Sequence, residues 1–175
     1  MDLYQSIVEL IDLRSFSNLW YWIILAILWF MASHSVLGVP YDLVLRARRH
    51  EGAAQVDLED MIRINVSRIL YMGDVSGVLI SGIAAFVLTG LVLLGFVYGV
   101  EFAQAVFLLV FPMSIVGMLS VRQAWIIRAD QVAGANLRDR LGKHRLHTQI
   151  IGTVSIFCTA LWGMYQNLAI GVWGN

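Results

Sequence analysis

Asp74 is the one carboxylate inside a long apolar stretch of this sequence, residues 69–96. His34 lies in an earlier apolar stretch, residues 19–39. If both stretches cross a membrane as helices, each side chain lies about five residues, or ~7 Å, from the same membrane surface. Such a pair could carry a proton or orient a ligand. The structural alternative, which the sequence favours, is a polar clamp or a carboxylate that reaches an arginine near the headgroups.

His144 and His147 are three residues apart, a spacing that places both on one helix face and suits a metal ion or a haem. Lys143 and Arg145 add positive charge, which disfavours a bound cation. An interfacial basic cluster is therefore the favoured interpretation. We predict no cofactor, and haem or a metal at these two histidines is the open alternative.

Other common catalytic patterns are missing from the sequence. It contains no phosphate-binding glycine loop, no G-x-S-x-G elbow and no HExxH. The single cysteine, Cys158, excludes an intrachain disulfide, a multi-cysteine zinc site and a cysteine-ligated iron–sulfur cluster. A conventional hydrolase or ATPase is therefore disfavoured, and Cys158 is best interpreted as a small apolar filler.

The composition favours a membrane protein. Hydrophobic residues make up 59% of the chain and charged residues 14%, against roughly 45–50% and about 25% in soluble domains. Four apolar stretches reach the ~20 helical residues that a bilayer core requires: residues 19–39, 69–96, 102–120 and 149–170. We predict an all-α polytopic membrane protein, in which residues 1–175 form a single four-transmembrane-helix bundle.

Local signals refine this architecture. Residues 1–14 are amphipathic and predict an N-terminal helix on the membrane surface. Gly38-Val39-Pro40 predicts the end of the first span. Nothing from Asp57 to Phe96 stops a helix, so the second helix should be about 60 Å long and extend beyond the bilayer. Pro112 in the third span requires a neighbour that satisfies the freed carbonyl. Asn136 with Asp139 could cap a short element that leads to the fourth span.

All twelve Lys and Arg residues except Arg14 lie in two segments, 40–68 and 121–148. Polytopic membrane proteins keep such residues in cytoplasmic loops. We therefore predict a bacterial inner-membrane protein with both loops cytoplasmic and both termini periplasmic. The loops should dock anionic headgroups or an acidic protein partner, with no role for nucleic acid. The predicted docking residues are Arg46, Arg48, Arg49, Arg138, Arg140, Lys143 and Arg145.

Small residues recur at every fourth position in two of the apolar stretches. Lipid provides no hydrophobic drive for helix association, so close approach at small residues is the usual route. The predicted packing residues are Gly73, Gly77, Ser81 and Ala85 in the second span, and Ser155, Thr159 and Gly163 in the fourth. These ridges should pack against each other or against a partner subunit, which includes the alternative of a homo-oligomer.

The segments LIDLRSFSNLWYW at 10–22 and GVEFAQA at 99–105 resemble a family of small bacterial membrane proteins commonly labelled "component of SufBCD complex". The resemblance spans most of the chain. It implies a partnership with soluble iron–sulfur assembly proteins. Because one cysteine cannot ligate a cluster, the implied role is docking.

A second comparison is with the MAPEG glutathione-linked membrane enzymes, which also have four spans and an outward N-terminus. Their Arg-x-x-x-Asn-x-x-Glu motif is matched only by Arg63, which is followed by Ser67 and Leu70 at the other two positions. Thiol activation is not expected from this match.

Taken together, these patterns favour a non-enzymatic membrane scaffold or assembly factor that docks a cytoplasmic partner. The alternative is a small membrane-embedded enzyme or carrier that uses His34 and Asp74.

Overall fold

A computed structural model describes Phe16, residues 18–50 and residues 52–173, with side chains described as far as Leu168. Five α-helices dominate this part of the chain: α1 Leu19–His34, α2 Tyr41–Arg49, α3 Ala53–Val92, α4 Glu101–Ala129 and α5 Gly134–Trp173. A π-helical turn, Leu93–Val97, extends α3, and a hairpin of β1 (Ser35–Val36) and β2 (Val39–Pro40) joins α1 to α2. The all-α prediction is confirmed. The predicted surface helix at 1–14 lies outside the described residues.

The first helix ends at His34, earlier than the predicted span, which extended to Val39. Leu37 and Gly38 both take positive φ values, 51° and 77°. Two such residues form the tight turn of a β-hairpin, and here they connect the paired Val36 and Val39. Apolar residues that the sequence pattern assigned to the helix therefore belong to a buried turn.

Helices α3 and α5 each contain 40 residues without interruption. The predicted long second helix is confirmed, although it begins at Ala53 and not at Asp57. The predicted short element before the fourth apolar stretch is wrong, because residues 134–173 form one helix. At 1.5 Å per residue, each helix is about 60 Å long, twice the thickness of a bilayer core.

The molecule has two chemically different ends. Residues 35–70 and 121–148 form what we call the basic end, and the remaining described residues form the apolar end. The main buried cluster lies in the basic end: Val36, Leu37, Val39, Val44, Ala47, Leu58, Ile62, Val66, Leu70, Ala124, Ile127, Leu137 and Leu141. The basic end thus has its own hydrophobic core.

Apolar side chains at the other end are largely exposed. Two described helices are long and apolar enough to cross a membrane, α3 with its π-helical turn and α4, and α1 is a shorter apolar helix. None of the most apolar 18-residue window of α3 is buried, and 22% of that of α4 is. Exposed apolar surface of this extent is unusual for a soluble protein and suits a lipid environment.

A polar network at the apolar end connects the π-helical turn after α3, helix α4 and helix α5. The Gln104 side chain is buried, and its Nε2 donates to the Gly95 carbonyl at 2.7 Å. Its Oε1 accepts from Trp162 Nε1 at 2.9 Å and from Gln166 Nε2. A Cβ at Gly95 would lie 2.9 Å from the Gln104 backbone nitrogen, so the helices approach this closely only at glycine.

Helix α1 packs against α5 through glycines. A Cβ at Gly152 would lie 2.6 Å from Cε3 of Trp29, and one at Gly163 would lie 3.2 Å from Phe16. Trp29 joins Leu25 and Val116 in a second, smaller buried cluster, so this contact also connects α1 to α4.

Candidate functional site

Helix α2 presents a row of cations on the surface of the basic end. Its Val44 and Ala47 are buried in the core, whereas Arg46, Arg48 and Arg49 are exposed. The arginines occupy the last helical turn, where the negative end of the helix dipole stabilises them. Among the described residues, no ion pair involves these three side chains. The α2 face is therefore a positively charged surface on a rigid support.

The other predicted docking cations differ in their surroundings. Arg145 is half-buried and donates from Nε to the Ser33 carbonyl at 3.2 Å. Its guanidinium carbon lies 4.0 Å from the ring centroid of Tyr41. Arg145 thus connects α5 to the end of α1 and the start of α2, a structural role that sequence reasoning did not anticipate.

Arg138 also belongs to an internal network. Its Nη1 donates to Gln55 Oε1 at 2.5 Å, and Gln55 Nε2 donates to Glu59 Oε1 at 2.7 Å. The same carboxylate oxygen accepts from the Gly134 backbone nitrogen at 2.8 Å and so caps the start of α5. Hydrogen bonds from Gln55 and from Gly134 hold the pKa of Glu59 below its ordinary value. This network joins α3 to α5.

Arg140 and Lys143 lie on the surface with acidic neighbours. Arg140 Nη2 is 3.4 Å from Asp130 Oδ2, and Lys143 Nζ is 3.3 Å from Asp139 Oδ2. Exposed pairs of this kind stabilise a fold by about 0–1 kcal/mol. Both cations therefore remain accessible to a competing anion.

The candidate pair His34 and Asp74 is exposed on two different helices. The His34 ring stacks on Phe30, with ring centroids 6.0 Å apart. No hydrogen bond or ion pair joins His34 to Asp74 within the described part of the chain. The structure therefore does not bring this pair together.

His144 and His147 have contrasting environments. His144 is 4% exposed, with Nε2 3.2 Å from Ser120 Oγ, whereas His147 is exposed. Ser120 donates its hydroxyl proton to the Val116 carbonyl at 2.9 Å, so the imidazole N–H donates to Ser120. Burial, followed by the nearby His147, lowers the pKa of His144. Among the residues with a described position, no group of three His, Cys, Asp or Glu side chains could hold a metal ion.

The lowered pKa of His144 predicts a pH-dependent stability. The unfolded chain binds a proton near pH 6.5, the ordinary value, and the folded chain resists it. The free energy of unfolding should therefore decline as the pH falls below 6.5 towards the lowered pKa. His144→Gln keeps a donor for Ser120 and should flatten this decline in detergent-unfolding measurements. If His144→Gln kept the wild-type dependence of the unfolding free energy on pH, His144 would not be the group that causes the decline. Glu59 lowers the free energy of unfolding only below pH 4.5, so its effect can be separated from that of His144.

The two ridges of small residues differ in burial. Ser155, Thr159 and Gly163 on α5 are buried inside the molecule. On α3, Gly73, Ser81 and Ala85 are exposed and Gly77 is half-buried. A Cβ at Gly73 or Gly77 would meet nothing within 4 Å. The ridges do not pack against each other in this chain, and the α3 ridge faces outward.

Sequence reasoning correctly expected a partner for the carbonyl that Pro112 frees. Proline lacks the N–H that would bond to the Leu108 carbonyl, four residues earlier. Ser155 Oγ donates to that carbonyl from α5 at 3.4 Å. One hydroxyl therefore satisfies the helix defect and connects α4 to α5.

The fold and the α2 face define an all-α protein with two membrane-length apolar helices and a basic end that has its own core. Comparison of the chain with protein-family models, with curated proteins and with solved structures finds no match.

Proposed function

We propose that this protein is an inner-membrane scaffold that docks an acidic partner at the α2 face. The observation that carries the proposal is the exposed triplet of Arg46, Arg48 and Arg49 on a helix whose other side is buried. A row of fixed cations attracts an anionic surface and orients it. The docking residues stand on a core, so binding requires little ordering of the chain.

The proposal places the apolar ends of α1, α3, α4 and α5 across the bilayer as a four-span bundle. It is supported by the exposed apolar surface of α3 and α4 and by the antiparallel packing of α1 on α5. The basic end then lies in the cytoplasm, in agreement with the positive-inside rule, and both chain termini lie in the periplasm.

The resemblance to proteins labelled as components of the SufBCD complex suggests what the partner is. An assembly protein of the iron–sulfur machinery with an acidic surface would fit the α2 face. In this proposal the scaffold provides attachment to the membrane, and the partner carries the cluster chemistry.

Reversal of the three α2 arginines tests the docking proposal. Arg46→Glu/Arg48→Glu/Arg49→Glu should reduce recovery of the partner on the order of tenfold or more, because three attractive contacts become repulsive. The measurement is affinity purification in mild detergent with quantitative mass spectrometry, repeated at high salt, which should weaken the wild-type complex.

A matched control reverses three exposed arginines elsewhere on the basic end, Arg63, Arg68 and Arg128. This variant has the same net charge and should recover the partner normally. Equal losses in both triple variants would show that only bulk charge matters and would contradict the proposal.

A membrane-embedded enzyme or carrier is the second candidate, favoured by the exposed carboxylate of Asp74 on an apolar helix. An ionisable group facing hydrocarbon is unfavourable unless a partner or ligand covers it. In the same purification, Asp74→Asn should leave recovery unchanged if docking is the function. A cellular defect of Asp74→Asn with normal partner recovery would favour the second candidate.

A further inference from the structure

Helices α4 and α5 leave a groove between them at the apolar end. It has a volume of about 440 Å³ and an almost entirely apolar lining. Phe107, Phe111 and Pro112 line it from α4, and Ile150, Val154 and Cys158 line it from α5. In a bilayer, a groove of this kind is filled by a hydrocarbon chain or by another helix.

A second cavity, of about 650 Å³, lies between the same helices at the basic end. Its lining is polar and includes Gln123, Arg140, Lys143 and His147. The Gln123 Oε1 atom is buried and has no hydrogen-bond partner among the described residues. Such a cavity suits a ligand that carries both anionic and hydrogen-bonding groups.

The two cavities, which we together call the crevice, lie along one face of α5. On α5, the lining residues follow one another at intervals of three or four: Arg140, Lys143, His147, Ile150, Val154 and Cys158. Residues at this spacing share one helix face. The hydrogen bonds Ser155 to Leu108 and His144 to Ser120 connect α4 and α5 along the same seam.

Charge at the polar mouth favours an anion. Exposed Arg122 ends the α4 stripe that carries Phe111 and Ile115, two residues that line the apolar groove. The lining holds two cations, Arg140 and Lys143, and two carboxylates, Asp130 and Asp139, whose ion pairs are long and exposed. Arg122 is outside the lining and precedes its residue Gln123 on α4. The charges of the lining balance, so Arg122 provides the excess positive charge that a phosphate at the mouth would meet.

We infer that the crevice between α4 and α5 binds one anionic glycerophospholipid of the inner leaflet. One acyl chain occupies the groove at Pro112 and Val154, and the headgroup phosphate contacts Arg122 and Lys143. The inference rests on the proposed membrane insertion. It assigns the crevice a lipid ligand that is separate from the protein partner at the α2 face.

Native mass spectrometry of the detergent-purified full chain, titrated with phosphatidylglycerol or phosphatidylcholine, tests the inference. The wild type should bind one phosphatidylglycerol in preference to phosphatidylcholine. Arg122→Gln/Lys143→Gln should weaken phosphatidylglycerol binding about 25-fold, at roughly fivefold per charge near a membrane surface. Equal binding of the two lipids, or an unchanged affinity in this variant, would overturn the inference.

A bulky residue in the groove provides an independent test. Val154→Trp should block the acyl chain and abolish tight binding, whereas Val78→Trp on the exposed face of α3 should bind normally. Disulfide crosslinking between copies at Cys158 would overturn the inference, because a second copy would then occupy the groove. Loss of lipid binding with normal membrane fractionation and partner recovery leaves the proposed function intact, and a chain found outside the membrane contradicts both.

Discussion

Gln104→Leu should destabilise the helical bundle by about 2 kcal/mol, on the basis of ~0.6 kcal/mol for each of three hydrogen bonds within a membrane. The substitution keeps the volume of a buried side chain and removes its polar atoms. The Gly95 carbonyl, the Trp162 N–H and the Gln166 amide then lose their shared partner. Unfolding in mixed detergent and dodecyl sulfate micelles, followed by tryptophan fluorescence, measures the change.

Two further variants make this test specific. Gln104→Asn keeps an amide donor and acceptor on a side chain that is one methylene shorter, so its loss should be partial. Ser114→Ala removes an exposed hydroxyl that donates within α4, to the Phe111 carbonyl, and should have little effect. A Gln104→Leu variant as stable as the wild type would mean that the network contributes nothing to the bundle.

Gly152→Ala is expected to have an effect of similar size, about 2 kcal/mol, by overpacking. The new methyl group would lie 2.6 Å from Cε3 of Trp29, closer than any real contact allows, and would push α1 away from α5. The same unfolding assay measures the loss, and disulfide crosslinking between cysteines introduced in α1 and α5 reports the separation.

The matched control is Gly82→Ala on α3, where an added Cβ meets nothing within 4 Å. It should be neutral or slightly stabilising, because alanine is a better helix former than glycine. Trp29→Leu removes the opposing ring and should rescue Gly152→Ala in the double variant. A double variant that loses as much as the two single variants combined would show that the two residues are not in contact.

The all-α fold class and the length of α3 could be predicted from the sequence because both depend on local periodicity and on stop signals. Pro112 likewise predicted an interhelical hydrogen bond, since a missing N–H leaves a carbonyl to satisfy. The end of α1 was misplaced because Leu37 adopts a left-handed conformation that its residue type disfavours. That turn is stabilised by long-range burial against the core, which no local pattern displays.

The candidate surface was only partly predictable. A count of basic residues found the right segments but could not separate the exposed Arg46 from Arg138 and Arg145, whose hydrogen bonds reach residues far away in the sequence. The roles of Gln104 and Gly152 were missed. The role of Gln104 could have been suspected because it is a glutamine within an apolar stretch. The role of Gly152 could not be predicted, because it depends on where α1 packs on α5.

The uninterrupted course of α3 and α5 has a mechanical consequence. Each helix passes from the hydrophobic core of the basic end into the apolar end as one unbroken α-helix without a proline. A force applied at α2 is transmitted through that core into two stiff rods, because an α-helix bends little without such a break. We therefore expect a load attached at the arginine triplet to tilt or rotate the opposite ends of these two helices.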